Sequence, residues 1–335
     1  MERFLITVDC GTTNTRAVLW NRDGTILETA KDETGVRNTA IDGNNAKLGN
    51  AVRGCVESLL ARRGLSREDI VAVYASGMIT SNVGLVEIPH LVAPATREDF
   101  IKGVKSVRLP DVWPDPINFI PGLKNLGGGI AEDNVEAMDI MRGEETEVIA
   151  LLDWFENGRE YLFVLPGSHT KFITLDAGGR MTGCLTSLAG EILSALTNHT
   201  ILADAVGRNF VGADSYRPRH MLAGYRTARE TSLARAAFST RIMNQFVTGD
   251  ALDCANFLLG AVLQNDVAAV KTSKALTVSP RTRVVVAGKE PLRTALVDAF
   301  RHDGSFENAE AFSPPDGIVL SGYGAYLVAR SREEW

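Results

Sequence analysis

Two stretches of this chain combine glycine, hydroxyls and charged groups in a way that could grip phosphate. The first is Asp9-Cys10-Gly11-Thr12-Thr13-Asn14-Thr15-Arg16. A β-forming apolar run at 4–8 precedes it, and another at 17–20 leads into the turn Asn21-Arg22-Asp23-Gly24. The pattern predicts strand, tight polar loop, strand and hairpin turn. Gly11 would let the backbone approach a ligand closely, Thr12 and Thr13 would add hydroxyl donors, and the loop N–H groups could form an anion-binding nest. Asp9, at the strand end, could hold magnesium directly or through water beside such phosphates. A β-turn around a satisfied aspartate would use the same residues. The second stretch, Leu165-Pro166-Gly167-Ser168-His169-Thr170-Lys171, again joins two strand-like runs and again precedes a turn, Asp176-Ala177-Gly178-Gly179. When Gly167 is set on Gly11, Ser168 meets Thr12 and Leu175 meets Leu19. Leu165 stands at the acidic position, and His169 and Lys171 supply charge instead.

A third group is Arg142-Gly143-Glu144-Glu145, which opens a stretch of helical apolar spacing. A carboxylate at a helix start can take the proton of an attacking hydroxyl. Acids in a first helical turn are also favourable by themselves, typically by about 0.3–1 kcal/mol. Arg142 could grip a carboxylate bidentately or form a surface ion pair.

The elements that must position these groups follow from the patterning. A phosphate-loop hairpin that occurs twice suggests two similar domains facing each other across a cleft. A third strand is expected from Thr25 to Ala30. A helix is expected over 46–63, where Leu48, Ala51, Val52, Cys55, Val56, Leu59 and Leu60 form one stripe ahead of Gly64. A buried strand over 70–75 ends at Ser76-Gly77-Met78-Ile79-Thr80-Ser81-Asn82, and such strand ends are where open α/β sheets bind ligands. Pro110, Pro114, Pro116 and Pro121 break up the middle, and Gly127-Gly128-Gly129 reads as a mobile or sharply turned connection. Helical spacing from Val148 to Phe155 stops at Gly158, which divides the chain into domains 1–158 and 159–335. Beyond the second hairpin the pattern is mostly helical, at 192–202, 233–246 and 251–270. A parallel-type strand at 284–288, a helix with Pro291 near its first turn, and a last helix from near Gly317 complete it.

Composition bounds the classes. A chain of 335 residues can hold two domains that each bury a core. Hydrophobic and charged fractions of 45% and 23% are those of a soluble globular protein. A net charge of −6 without a basic cluster argues against nucleic acid. No apolar run reaches transmembrane length, and Glu2 just before the first strand argues against a signal peptide. Cys10, Cys55, Cys184 and Cys254 are scattered, as expected of reduced cytoplasmic thiols rather than metal ligands.

Two facing phosphate hairpins resemble the actin, sugar kinase and Hsp70 superfamily over most of the chain. That resemblance implies an α/β fold of the two-domain actin-like ATPase (ribonuclease H-like) type, with a cleft between domains. Further motifs narrow it: Met141-Arg142-Gly143-Glu144-Glu145-Thr146-Glu147, the Pro166–Phe172 loop, Ala189-Gly190-Glu191 and Asn198-His199-Thr200-Ile201. In order with the first loop and Ser76-Gly77-Met78, they resemble the 2-dehydro-3-deoxygalactonokinase family. Its members transfer the γ-phosphate of ATP to the 6-hydroxyl of 2-keto-3-deoxygalactonate in galactonate catabolism. Gly35-Val36, Ile120-Pro121-Gly122-Leu123 and Val286-Ala287-Gly288 extend the similarity over nearly the whole chain. Ser168 stands for the usual threonine, Leu188-Ala189 for Met-Thr, and Lys289-Glu290 for smaller polar residues.

The resemblance implies a kinase using ATP and Mg2+ on a small-molecule sugar acid in the cytoplasm, with no nucleic acid or membrane partner and homodimerisation left open. Asp9, Glu144 and Glu145 would be catalytic, Asp9 also organising the metal, with either glutamate as the base. Gly11, Thr12, Thr13, Asn14, Arg16, Gly167, Ser168, His169, Thr170, Lys171, Gly190 and Gly288 would bind the nucleotide. Ser76, Gly77, Met78, Ser81 and Arg142 would bind the acceptor. The alternatives are a kinase for another hexonate or sugar, a nucleotide-dependent sensor without transfer, and a polymerising actin-like protein.

Overall fold

The computed structural model describes residues 3–333; Glu2 lies outside them. β1 (Phe4–Cys10), β2 (Thr15–Trp20) and β3 (Ile26–Asp32) form an antiparallel meander. After α1 (Val36–Asp42) and α2 (Ala46–Arg63), β4 (Ile70–Gly77) returns parallel to β1. Next come β5 (Leu91–Val92), α3 (Arg97–Gly103), β6 (Lys105–Leu109) and β7 (Trp113–Phe119). β7 joins parallel to β4, and the sheet order is β3-β2-β1-β4-β7-β6. β8 (Leu123–Lys124) pairs with β5 and with β9 (Ile140–Met141) in a small sheet, and α4 (Glu144–Leu151) follows.

The second half repeats the plan. β10 (Tyr161–Leu165), β11 (Thr170–Leu175) and β12 (Met181–Ser187) form the same meander. Four helices follow: α5 (Ala189–His199), α6 (Pro218–Glu230), α7 (Leu233–Phe246) and α8 (Ala251–Thr272). β13 (Arg283–Ala287) then lies parallel to β10, and after α9 (Leu292–Asp303), β14 (Asn308–Phe312) lies parallel to β13. The order β12-β11-β10-β13-β14 matches five strands of the first sheet in sequence and direction. This is the mixed α/β, two-domain architecture expected from the repeated hairpin.

The last helix, α10 (Leu320–Arg330), packs against α4 and β1 rather than extending the second half. Gly324 makes this possible, since a Cβ there would fall 1.7 Å from the Thr146 carbonyl oxygen. The small residues at 322–325 therefore serve close helix packing, as their size suggests. One hydrophobic core runs from Leu5, Trp20 and Tyr74 through Leu327 to Phe163 and Leu175, so the halves share an interior. All four cysteines are buried and free. Among the described residues, no helix is long and apolar enough to cross a membrane.

Prolines hid β7, but only Ile117, Asn118 and Phe119 pair with β4. Pro114 and Pro116 fall outside that ladder, where a missing N–H costs no bond to β4. The helical spacing read through Phe155 ends sooner, with α4 stopping at Leu151. Likewise α5 stops at His199, short of the Ile201-Leu202 pair.

Candidate active site

Asp9 and Ser76 are register partners at the ends of β1 and β4. Gly77 follows at φ 86°, and a Cβ there would lie 2.6 Å from the Cys10 carbonyl oxygen and 2.9 Å from Asp9 Oδ1. Gly143, at φ 111°, packs on it so closely that its own Cβ would stand 3.2 Å from Gly77 Cα. These two glycines bring the start of α4 against the Asp9 loop. The loop is tight, with Gly11 N donating to Asn14 O at 2.9 Å. Val36 N and Arg37 N, at the start of α1, donate to the carbonyls of Gly11 and Thr12 at 3.2 and 3.0 Å. In the second half, Glu191 N donates to Ser168 O at 3.2 Å. A Cβ at Gly190 would meet Gly167 O at 2.4 Å, so the start of α5 seats directly on the second loop.

Three cavities share these walls. The largest, about 690 Å³, includes Gly167, Ser168, His169, Lys171, Gly190 and Gly288 in its lining. A second, about 470 Å³, takes in Gly11, Thr12, Met78, Ser81, Arg142 and Lys171. Glu144 lines both. A third, about 330 Å³, holds Asp9, Arg16, Glu147 and Ser321 and shares Glu147 and Gly288 with the largest.

The acids of this cleft differ in environment. Asp9 accepts a hydrogen bond from Ser321 Oγ at 2.8 Å; burial pushes its carboxyl up, opposed by Ser321 and Arg16. Glu144 accepts from Arg142 N at 3.1 Å and is also pushed up, by burial first, against the pull of Lys171. Glu145 is fully buried, takes Gly143 N on both carboxylate oxygens at 2.8 Å, and is pushed up to about 8 by burial and then by Glu144. Glu147, which the sequence reading left out, is pushed up to about 8 by burial and by Glu144 and Asp9. Its place three residues after Glu144, on the same helix face, is the signal that could have found it.

Other expected residues are placed less directly. Ser76 is fully buried, its Oγ without a partner, and Gly77 lies beneath the Asp9 loop; neither lines the cavity of about 470 Å³. Thr170 is buried and lines neither of the two larger cavities. Thr13 and Asn14 sit at the exposed side of the first loop, bonded to each other at 2.8 Å. His169 Nε2 lies 2.7 Å from Glu191 Oε1. Lys171 Nζ donates to Ile140 O at 2.9 Å and Thr186 Oγ1 at 2.6 Å, which leaves one ammonium hydrogen. Arg142 donates from Nη1 to Thr80 Oγ1 and from Nη2 to Ile88 O, both at 2.6 Å, with His90 Nδ1 3.3 Å from Nη2. It therefore ties the 78–90 segment to α4, and only Nε and one Nη1 hydrogen remain for a ligand.

Comparison with known proteins bears on family and fold. A family model described as 2-keto-3-deoxy-galactonokinase matches residues 9–312. The 2-dehydro-3-deoxygalactonokinase of Escherichia coli (strain K12) is 29% identical over 211 residues, covering 63% of this chain and 62% of its own length. The chain spans about three-fifths of the length of the curated relatives it matches. A crystal structure of a Sinorhizobium meliloti protein, provisionally assigned as a 2-dehydro-3-deoxygalactonokinase, superposes with a TM-score of 0.76 at 22% identity, covering 98% of each chain. A dehydratase activator from Clostridium difficile, solved with bound ADPNP, gives 0.50 at 14% identity, covering 98% of this chain and 94% of that one. Both structures speak to the fold.

Proposed function

The chain belongs to the 2-keto-3-deoxy-galactonokinase family, and from that premise we propose that it transfers the γ-phosphate of ATP to the 6-hydroxyl of a 2-keto-3-deoxy sugar acid, 2-dehydro-3-deoxygalactonate first among them. One observation carries the reading. Glu144 stands in the wall common to a cavity bearing the second phosphate loop and a cavity bearing Arg142, Ser81 and the first loop. Nucleotide in the larger cavity and acceptor in the smaller would meet at this carboxylate.

Magnesium fits the donor set. The Asp9 charge raises the proton affinity of Glu144 and Glu147, and Glu144 raises that of Glu147 further, a burden that a cation relieves. Among the described residues, no three His, Cys, Asp or Glu groups converge to hold a metal alone. That suits an ion held by Asp9, water and phosphate oxygens. Bound there, magnesium would neutralise charge on the phosphates.

The protein's own groups do the rest. Loop N–H groups at Thr12–Asn14, held in place by the Gly11 turn, and at Gly167–Lys171 hold phosphate oxygens, and the remaining Lys171 hydrogen reaches the transferring group. Burial of Glu144 moves its proton affinity toward the range where a base works near neutrality, and it takes the proton of the attacking hydroxyl. Gly288 admits the adenosine. Arg142 fixes the acceptor segment and offers Nε and its free Nη1 hydrogen to the carboxylate. The site lies between domains 1–158 and 159–335, with α10 returning to the first, in a cytoplasmic protein. Homodimerisation belongs to the same proposal and is read by light scattering.

A second reading, a kinase for another hexonate or a neutral sugar, is favoured by Glu87, whose negative charge lines the acceptor-side cavity. A coupled ADP-release screen over aldonates, 2-keto-3-deoxy acids and neutral sugars separates the two. Turnover confined to neutral sugars would replace the first reading, and ATP binding without turnover on any acceptor would leave a sensor.

A further inference from the structure

Phosphate chemistry makes no use of Phe210, which lines the largest cavity yet keeps 51% of its surface exposed. The same cavity is walled by Leu193 of α5, Val211, Leu259 of α8 and Leu292 of α9. The segment leading to Phe210 is held in a costly conformation. Gly207 has φ 60°, and Arg208, at φ 55°, is the one non-glycine residue with positive φ among the described residues. Two bonds fix the turn: Arg208 N donates to Ala203 O at 2.8 Å, and Arg208 Nη1 donates to Asn198 O at 3.1 Å. Strain maintained by surrounding bonds points to a segment whose position matters. It delivers an exposed phenyl ring to an apolar slot that also contains Gly167 and Ser168.

We propose that Phe210 stacks on the nucleobase of a purine nucleotide whose phosphates lie at the second loop, an inference that rests on the nucleotide reading above. An aromatic ring beside an aliphatic slot recognises a flat heteroaromatic by its face. Such stacking tolerates different bases, so it supplies affinity and leaves base choice to edge contacts. Loss of Phe210 should weaken adenine and guanine nucleotides in parallel.

The test is isothermal titration of ADP, GDP and inorganic tripolyphosphate into wild type, Phe210→Ala and Phe210→Trp. Phe210→Ala should weaken both nucleotides by roughly 5- to 150-fold, the range of a lost base–aromatic stack, and leave tripolyphosphate unchanged. Phe210→Trp should keep nucleotide affinity, with its indole emission altered by ADP and not by tripolyphosphate. Equal weakening of ADP and tripolyphosphate by Phe210→Ala would overturn the proposal, as would unchanged ADP affinity. Failure of the wild type to bind ADP would overturn the nucleotide reading itself, so the wild-type titration tells the two failures apart.

Discussion

Of the three glutamates in the first two turns of α4, Glu144 and Glu145 meet opposite environments and imply different experiments. Glu144 faces two cavities, whereas Glu145 turns inward and caps its own helix through Gly143 N. Glu144→Gln should lower kcat by ~10²-fold or more with little change in ATP KM, the scale of a lost general base. Near-wild-type kcat would move the role elsewhere. Glu145→Gln should act on stability instead. Its carboxyl is raised from 4.5 to about 8 in the folded protein. The native state therefore keeps a proton that the unfolded chain has released. The stability tied to that proton is full below about 4.5 and is lost as pH rises toward 8. Denaturant melts at pH 5 and pH 9 should show wild type losing more stability than Glu145→Gln over that interval. A difference between the two proteins that is independent of pH would contradict the assignment. The acids at a helix start were legible in the sequence, because an Arg-Gly turn and apolar spacing mark the start. Which acid faces the cleft was not, since that depends on how α4 docks against β4 through Gly77 and Gly143.

At the scale of elements, glycine contacts set the joints. Gly77→Ala combines a positive φ with a clash against Asp9 and Cys10. Gly64→Ala has a similar φ but open space around it. Strain alone costs about 1–2 kcal/mol, so thermal unfolding should show Gly77→Ala losing clearly more than Gly64→Ala, with turnover lost as well. Equal losses would mean that the Asp9 joint tolerates displacement. Gly190→Ala pushes α5 off the second loop and should raise ATP KM more than it lowers kcat. The strongly periodic elements α2, α7 and α8 were readable with nearly their true bounds, as were both hairpins. α6 was missed, although Met221, Gly224, Tyr225 and Ala228 form its buried face. Propensity counts Gly224 against a helix, but a Cβ there would lie 1.8 Å from Phe257 O on α8. A contact between distant segments decides that helix. β12 escaped for a related reason: rich in small and polar residues, it is defined by pairing with β11.

The whole molecule is two copies of one sheet plan with a shared core and a cleft that carries the charge. Two loops from opposite halves around one cleft are suited to close on nucleotide and acceptor together, which excludes water. ATP hydrolysis without acceptor should therefore be slow relative to transfer, and Asp9→Asn should keep the fold while removing most magnesium-dependent turnover. Wild-type turnover by folded Asp9→Asn would reduce Asp9 to a turn residue. The most direct test of the sugar-acid kinase reading is 31P NMR of the product formed from ATP, magnesium and 2-keto-3-deoxygalactonate, run beside a neutral analogue lacking the carboxylate. A phosphate monoester at the 6-position, formed far faster from the acid, is the expected result. Free phosphate alone, or an ester formed only from the neutral sugar, would contradict it.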